Sequence, residues 1–226
     1  MLKCQFHTHS AGDLLDYIPH TEKDLISQAA KLNYNVLAIT CHHKVVFSPN
    51  LKKYAQKKNI LLIPGIELSI GKKHVLAINV GKDIQKVKTF SDLRNYKNTH
   101  KECLIIAPHP FFPSKHSLKK ALIENMDIFD AIEYCFCYTK TKNYNKEAEA
   151  VAKRWRKPVI ASADCHCLKD LDLAYTMLDC KPNIHSVISA IKKNKIKNFS
   201  KPLGYLKIGK IITRQSLRNL IKKGHV

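Results

Sequence analysis

The chain has 226 residues, 45% hydrophobic and 25% charged, which is the balance of an ordinary globular protein with one large domain or two small ones. No apolar run approaches the roughly 20 residues of a membrane span. The formal net charge of +21 would attract phosphates and nucleic acid, but 34 of the 39 basic residues are Lys, so it favours an anionic partner more than base-specific recognition. The N-terminus lacks the charged, apolar and small-residue order of a signal peptide, and a cytoplasmic location is expected.

In chain order, the stretch "LKCQFH" reads as a strand that runs into "FHTHSAG". On a strand, residues i and i+2 point the same way, so His7 and His9 would aim their rings into one space. The stretch "TEKDLISQAAKLN" predicts a helix with Thr21 as N-cap and Asp24 three residues on. A strand "NVLAIT" follows, then a helix "SPNLKKYAQKKN" with Ser48 as cap and Pro49 in its first turn. The stretches "ILLIPGIEL", "HVLAINV" and "CLIIAPHP" read as three strands, before a helix in "SLKKALIENM". Next come a strand "DAIEYCF", a helix "NKEAEAVAKRWRK" and a strand "PVIASADCH". From about Asn183 the chain offers a helix-like "NIHSVISAIKKNK" and a basic segment ending "ITRQSLRNLIKKGHV". Several strands hold too few polar positions to be half-exposed, which suits a parallel sheet covered by helices. The alternation predicts an α/β barrel or a doubly wound sheet. Only seven glycines occur, and no Gly-rich phosphate loop follows a strand.

Chemistry-bearing residues recur at strand ends: His7 and His9, His42 and His43, Glu67, His109, Glu133, and Asp164 with His166. In a β/α barrel these ends converge on one face. His74 is the exception, because it begins its strand. Mixed imidazole and carboxylate donors suit Zn, Mn or Fe, and their number exceeds the three or four ligands of one ion. Two or three divalent ions with Glu67 as a bridge fit better. The eight cysteines form no C-x-x-C pair and lie mostly in apolar stretches, as reduced buried thiols do; "CFC" and "CHC" are a minor soft-metal alternative.

The series "HTH", "ITCHH", "PGIE", His74, "APHP" and "SADCH" resembles the PHP superfamily, named for polymerase and histidinol phosphatase, over roughly residues 3–170. The resemblance implies a distorted (β/α)7 barrel over residues 1–182, with residues 183–226 as a basic extension packed on the same domain. It implies phosphoester hydrolysis by metal-activated water. By analogy His7, His9, Glu67 and Asp164 hold one ion. Glu67, His74 and His109 hold a second. His42 and His166 hold a third, completed by His20 or Asp13. His43 is a candidate for the acid that protonates the leaving oxygen, and Lys44 and Lys73 for orienting phosphate. The expected substrate is a phosphorylated small molecule or a nucleic-acid end, with weak polyanion binding by the basic tail. The alternative is a catalytically altered PHP-like module that binds nucleic acid or regulates. Cys41 stands where the family usually has Asp; it is adjacent to His42 and so expected to face away from the ions as a packing residue.

Overall fold

The computed structural model describes residues 1–223, so the last three residues of the basic tail lie outside the described residues. Nine strands form one sheet: β1 (Leu2–Gln5), β2 (Val36–Ile39), β3 (Leu61–Ile70), β4 (Lys73–Ile78), β5 (Leu104–Ala107), β6 (Ala131–Cys135), β7 (Val159–Ser162), β8 (Ala174–Leu178) and β9 (Ile196–Ser200). Their order is β7-β6-β5-β4-β3-β2-β1-β8-β9. Pairs β1/β2, β2/β3, β5/β6 and β6/β7 are parallel, whereas β4 is antiparallel to both neighbours.

The sheet curls until β7 meets the other side. Thr8 and Cys165 form a parallel bridge, with His9 N–H donating to Cys165 O at 3.0 Å and Cys165 N–H to His7 O at 3.1 Å. Side chains complete the seam. Ala161 N–H is shared by Thr176 Oγ1 and Asn198 Oδ1, each at 2.9 Å. The buried Gln5 amide donates to Leu171 O and Ala174 O and accepts from Ala163 N–H. The result is a nearly closed, distorted β/α barrel.

The reversal at β4 has a local cause. Gly71 and Lys72 both hold positive φ, 54° and 68°, between the paired residues Ile70 and Lys73. Two such residues make the tight turn whose twist matches a hairpin. The chain therefore turns straight back instead of crossing over through a helix.

Helices α1 (Glu22–Lys31) and α2 (Pro49–Gln56) cover one flank. Thr21 and Asp24 close a reciprocal capping box, and Ser48 caps α2 with Pro49 in its first turn, as expected. Helices α3 (Phe90–Thr99), α4 (Lys120–Glu124) and α5 (Asn145–Arg154) cover the other. The sequence pattern does not announce α3, whose own capping box is Thr89 with Asp92.

The segment from residue 183 contributes to the core as well as to the surface. β8 runs antiparallel to β1 and ends beside Leu2, so α6 (Ile184–Lys192) starts at the N-terminal end of the barrel. There Val187, Ile188 and Ile191 join the inner face of the strands. Burying each such side chain contributes about 1.5–3 kcal/mol. β9 then pairs with β8. By contrast α7 (Tyr205–Lys223) has no fully buried residue among those whose burial is described. No described helix is long and apolar enough to cross a membrane.

Candidate metal centre

The site is assembled at the C-terminal ends of β1, β2, β3, β5 and β7. Thr8 and Thr40 lock the first two ends together: Thr8 N–H donates to Thr40 Oγ1 at 3.0 Å, and Thr8 Oγ1 to Ala38 O at 2.7 Å. Because β4 runs the other way, its beginning lies at the same end of the barrel. That brings His74 to the cluster from the start of its strand.

Glu67 is the hub, and it is buried. Its Oε2 lies 3.2 Å from His7 Nε2, 3.4 Å from His9 Nε2 and 3.1 Å from His42 Nε2. Its Oε1 lies 2.8 Å from His74 Nδ1 and 3.4 Å from His109 Nε2. Asp164 Oδ1 approaches His7 Nε2 and His9 Nε2 at 3.2 Å each, and His166 Nδ1 at 3.4 Å. Eight of the expected ligands therefore meet at one place.

A layer of carboxylates behind the rings fixes their orientation. Glu133 Oε1 sits 2.9 Å from His7 Nδ1, and its Oε2 accepts His109 N–H at 2.7 Å. Asp13 Oδ2 takes His9 Nδ1 at 2.8 Å, His42 Nδ1 at 2.9 Å and His42 N–H at 2.8 Å. Its Oδ1 accepts the backbone N–H groups of Leu15 and Asp16. A proton held on Nδ1 leaves Nε2 of His7, His9 and His42 as a lone pair aimed inward.

These contacts fit metal ligation better than hydrogen bonding. His9 Nε2, Glu67 Oε1, Asp164 Oδ1, His74 Nε2 and His109 Nδ1 are buried without an aligned hydrogen-bond partner. Glu67 Oε1 is close to His74 Nδ1, yet the two atoms are not directed along an N–H bond. Buried orphan donors are costly. Of these atoms, His9 Nε2, Glu67 Oε1 and Asp164 Oδ1 belong to the cluster's inner face, where lone pairs brought together suit a cation; His74 and His109 face Glu67 with their other ring nitrogens. Five triads of donor atoms lie within 4.8 Å of one another, and several share Glu67 or Asp164.

Charge shows the same need. Burial disfavours the His7 cation, but Asp164, Glu133 and Glu67 outweigh it and hold its pKa well above the usual imidazole value. Likewise burial opposes the His42 cation, and Glu67 and Asp13 raise it; for His166 the balance of burial against Asp164 and Asp16 ends at about 9. Glu67 and Asp164 pay a burial penalty that the imidazoles more than reverse, so both stay ionised. Protons here do what a divalent ion would do.

The remaining candidates are placed as follows. The His20 ring donates to His9 O at 2.9 Å, behind the cluster. Asp13 Oδ2 orients His9 and His42 while Oδ1 holds the backbone N–H groups of Leu15 and Asp16, so both its oxygens are engaged. A further carboxylate, which the sequence pattern does not single out, adjoins His166: Asp16 Oδ2 lies 2.8 Å from His166 Nε2 and 4.0 Å from His42 Nδ1. Its pKa is pulled down to about 2, since His166 and the neighbouring imidazoles overcome its burial. His43 turns to Ser69 Oγ at 3.1 Å and does not line the cavity; burial and the His42 charge lower its pKa. Lys44 is exposed, and Lys73 Nζ donates to Lys115 O at 3.0 Å, so neither reaches the cavity. Cys41 Sγ packs 3.1 Å from Ser10 Oγ, and burial pushes its thiol up to about 12. His116, which no sequence pattern singled out, lines the cavity and stacks 4.5 Å from His74.

Three of the candidate residues hold left-handed backbone: His43 (φ 57°), His109 (φ 29°) and Asp164 (φ 41°). Such conformations cost about 1–3 kcal/mol each and gather at functional sites. For His109 and Asp164 the turn is what directs the side chain inward. Above the donors opens a cavity of about 300 Å³.

Comparison with known proteins gives three likenesses. The PHP-associated family (PHP_C) matches residues 142–196. Over 68 residues the chain is 37% identical to the PolC-type DNA polymerase III of Streptococcus pneumoniae serotype 2 (strain D39 / NCTC 7466). That match covers 30% of this chain and 5% of the polymerase, so the chain spans only a small part of this curated relative. Among solved structures, a Bacteroides vulgatus two-domain protein, described as containing a predicted PHP-like metal-dependent phosphoesterase, superposes with a TM-score of 0.71 at 17% identity. The alignment covers 95% of this chain and 69% of that one. Endonuclease Q, in complex with a 27-mer duplex carrying an abasic lesion at its active site, superposes at 0.65 with 15% identity, over 89% of this chain and 60% of its own. At these identities the structural likeness is one of fold.

Proposed function

This chain belongs to the PHP superfamily, and on that premise we propose that it is a metal-dependent hydrolase of phosphoesters. The observation that carries this reading is the set of orphaned, buried donors of Glu67, Asp164 and the surrounding histidines at the floor of an open cavity.

In this reading His7, His9, Glu67 and Asp164 hold one ion, and Glu67 shares a second with His74 and His109. A third lies with His42 and His166, with Asp16 beside His166 or Asp13 beside His42 as its carboxylate. Zn, Mn and Fe suit this donor set. Bound there, divalent ions supply a water acidified toward neutral pH and a positive field for the phosphoryl oxygens. The protein's own part is to keep the donors oriented. Glu133 and Asp13 retain protons on the outer nitrogens of His7, His9 and His42, and positive-φ backbone holds His109 and Asp164 in place. The substrate class is a phosphomonoester or a nucleic-acid end.

A second reading is a PHP-like nucleic-acid-binding module without catalysis. The +21 charge favours it, as does Cys41 standing where the family usually has Asp. Elemental analysis of the purified protein, followed by assay of the Mn- or Zn-loaded chain on phosphomonoesters, phosphodiesters and oligonucleotides, separates the two. Retained metal with turnover supports the hydrolase. No retained metal and no turnover after loading would leave the binding module.

A further inference from the structure

The proposed metal floor is only half of the cavity; α7 supplies a wall. From α7 the cavity takes Ile211 and Ile212 and, one turn on, the uncharged polar Gln215 and Ser216. Phe112, Phe136 and Cys137, from the segments after β5 and β6, join Ile211 in an apolar part of the lining. Burial raises the Cys137 thiol to about 11, so this wall is uncharged near neutral pH.

Among the described residues no Lys or Arg lines the cavity, although the chain carries 39 of them. The basic residues of α7 that come nearest are used to hold the helix. Arg214 pairs with Asp170, and Arg218 Nη1 donates to His166 O at 3.2 Å. Asn219 Nδ2 donates to Asp16 Oδ1 at 2.6 Å. Ile208 and Ile211 pack on the cluster that contains Cys135 and Phe136. The wall is thus tied to the segments that carry Asp16 and His166, and its place relative to the ligands is set.

Charge and size both restrict the occupant. A polyphosphate or nucleic-acid backbone would bring phosphates beyond the reacting one and find no cation for them. The volume of about 300 Å³ is at the lower end for small-molecule sites and is far below a duplex. We infer that the part of the cavity lined by Phe112, Phe136, Cys137, Ile211 and Ile212 is a subsite for a compact, apolar leaving group, so that the preferred substrate is a small phosphomonoester of an aromatic or similarly apolar alcohol. This rests on the phosphoesterase reading and deepens it.

The test uses the full chain loaded with Mn or Zn and two phosphonates that cannot be hydrolysed. Phenylphosphonate should bind more tightly than 2-hydroxyethylphosphonate by on the order of tenfold or more, the gain expected for burying one ring. Ile212 is half exposed at the mouth and outside the packed cluster, so Ile212→Asn should fold. In that variant the affinity ratio should fall severalfold while bound-metal stoichiometry stays constant. In parallel, phenyl phosphate should be hydrolysed in preference to glycerol 3-phosphate and to a 5′-phosphorylated duplex. Hydrolysis without that preference, or a ratio that Ile212→Asn does not move, would overturn the subsite and leave the phosphoesterase standing. Binding of neither phosphonate, with no hydrolysis of any ester, would overturn both.

Discussion

The metal-facing tautomer of His7 depends on Glu133, and Glu133→Gln isolates that dependence. Glu133 is fully buried, with Oε1 2.9 Å from His7 Nδ1 and Oε2 accepting His109 N–H at 2.7 Å. A backbone N–H can only donate, so in the variant the amide oxygen must go to His109 and the NH2 group must face His7. His7 Nδ1 then has to accept. Its proton moves to Nε2, the atom that lies 3.2 Å from both Glu67 Oε2 and Asp164 Oδ1. A protonated nitrogen offers no lone pair to an ion. Side-chain volume is unchanged, so no cavity opens and the effect is one of proton position and charge. Losing a partner of this kind weakens metal binding about 10–100-fold, or about 1.4–2.7 kcal/mol. Competition against a chromophoric chelator measures it, with far-UV circular dichroism as the check on folding. Glu133→Ala gives the contrast. It leaves His7 free to keep its proton on Nδ1, so metal affinity should fall less than in Gln. The His109 N–H loses its acceptor, so stability should fall by about 1–3 kcal/mol. A Gln variant that binds within about twofold of wild type, or an Ala variant that binds more weakly than Gln, would refute the tautomer argument.

Asp164→Asn and His9→Ala should each abolish most hydrolysis while circular dichroism shows a retained fold, because these side chains face the donors more than the core; wild-type turnover with metal in excess would exclude them as ligands. Cys41→Ser should leave the bound-metal stoichiometry nearly unchanged, since the thiol packs on Ser10; loss of one ion per chain by elemental analysis would make it a ligand. Metal binding at pH 7 should release protons, because the carboxylates around His7, His42 and His166 outweigh burial and keep their folded pKa values raised. The sign requires affinity to weaken as pH falls and the His166 share of the release to vanish as pH rises through about 9. Calorimetry in two buffers of different ionisation heat reads the proton count, and none released at pH 7 would contradict the protonated cluster.

Elements with a strong local signal were legible in the sequence. The apolar runs around β2 and β5 are buried at every position, and Thr21 and Ser48 mark the starts of α1 and α2. What escaped lacked such a signal. In α3 only Leu93 and Tyr96 are buried, so its apolar stripe is too thin to announce a helix. β9 exposes its three central residues and is held by pairing with β8, a long-range fact that local pattern does not carry. The reversal of β4 hangs on a single turn, Gly71-Lys72, yet it decides where His74 goes.

The same division runs through the site. Donors that sit next to buried strands could be found one by one, since each carries its own local pattern. Asp16 could not, because it lies in an irregular loop and gains its meaning from His166, 150 residues away. The α7 wall is harder still. Leu206, Leu217 and Leu220 face outward while Ile208 and Ile211 face the barrel, so apolar residues on both sides blur the helical stripe. Its anchors are polar and distant: Asn219 reaches Asp16 across 203 positions. A cluster of Lys and Arg at a chain end reads, by composition, as a surface for polyanions. In the fold, Arg214 and Arg218 are committed to Asp170 and to the His166 carbonyl, and what α7 presents to the cavity is Ile211, Ile212, Gln215 and Ser216, with no cation. Net charge therefore describes the outside of this molecule, whereas the cavity above the ionised floor is lined by no Lys or Arg among the described residues.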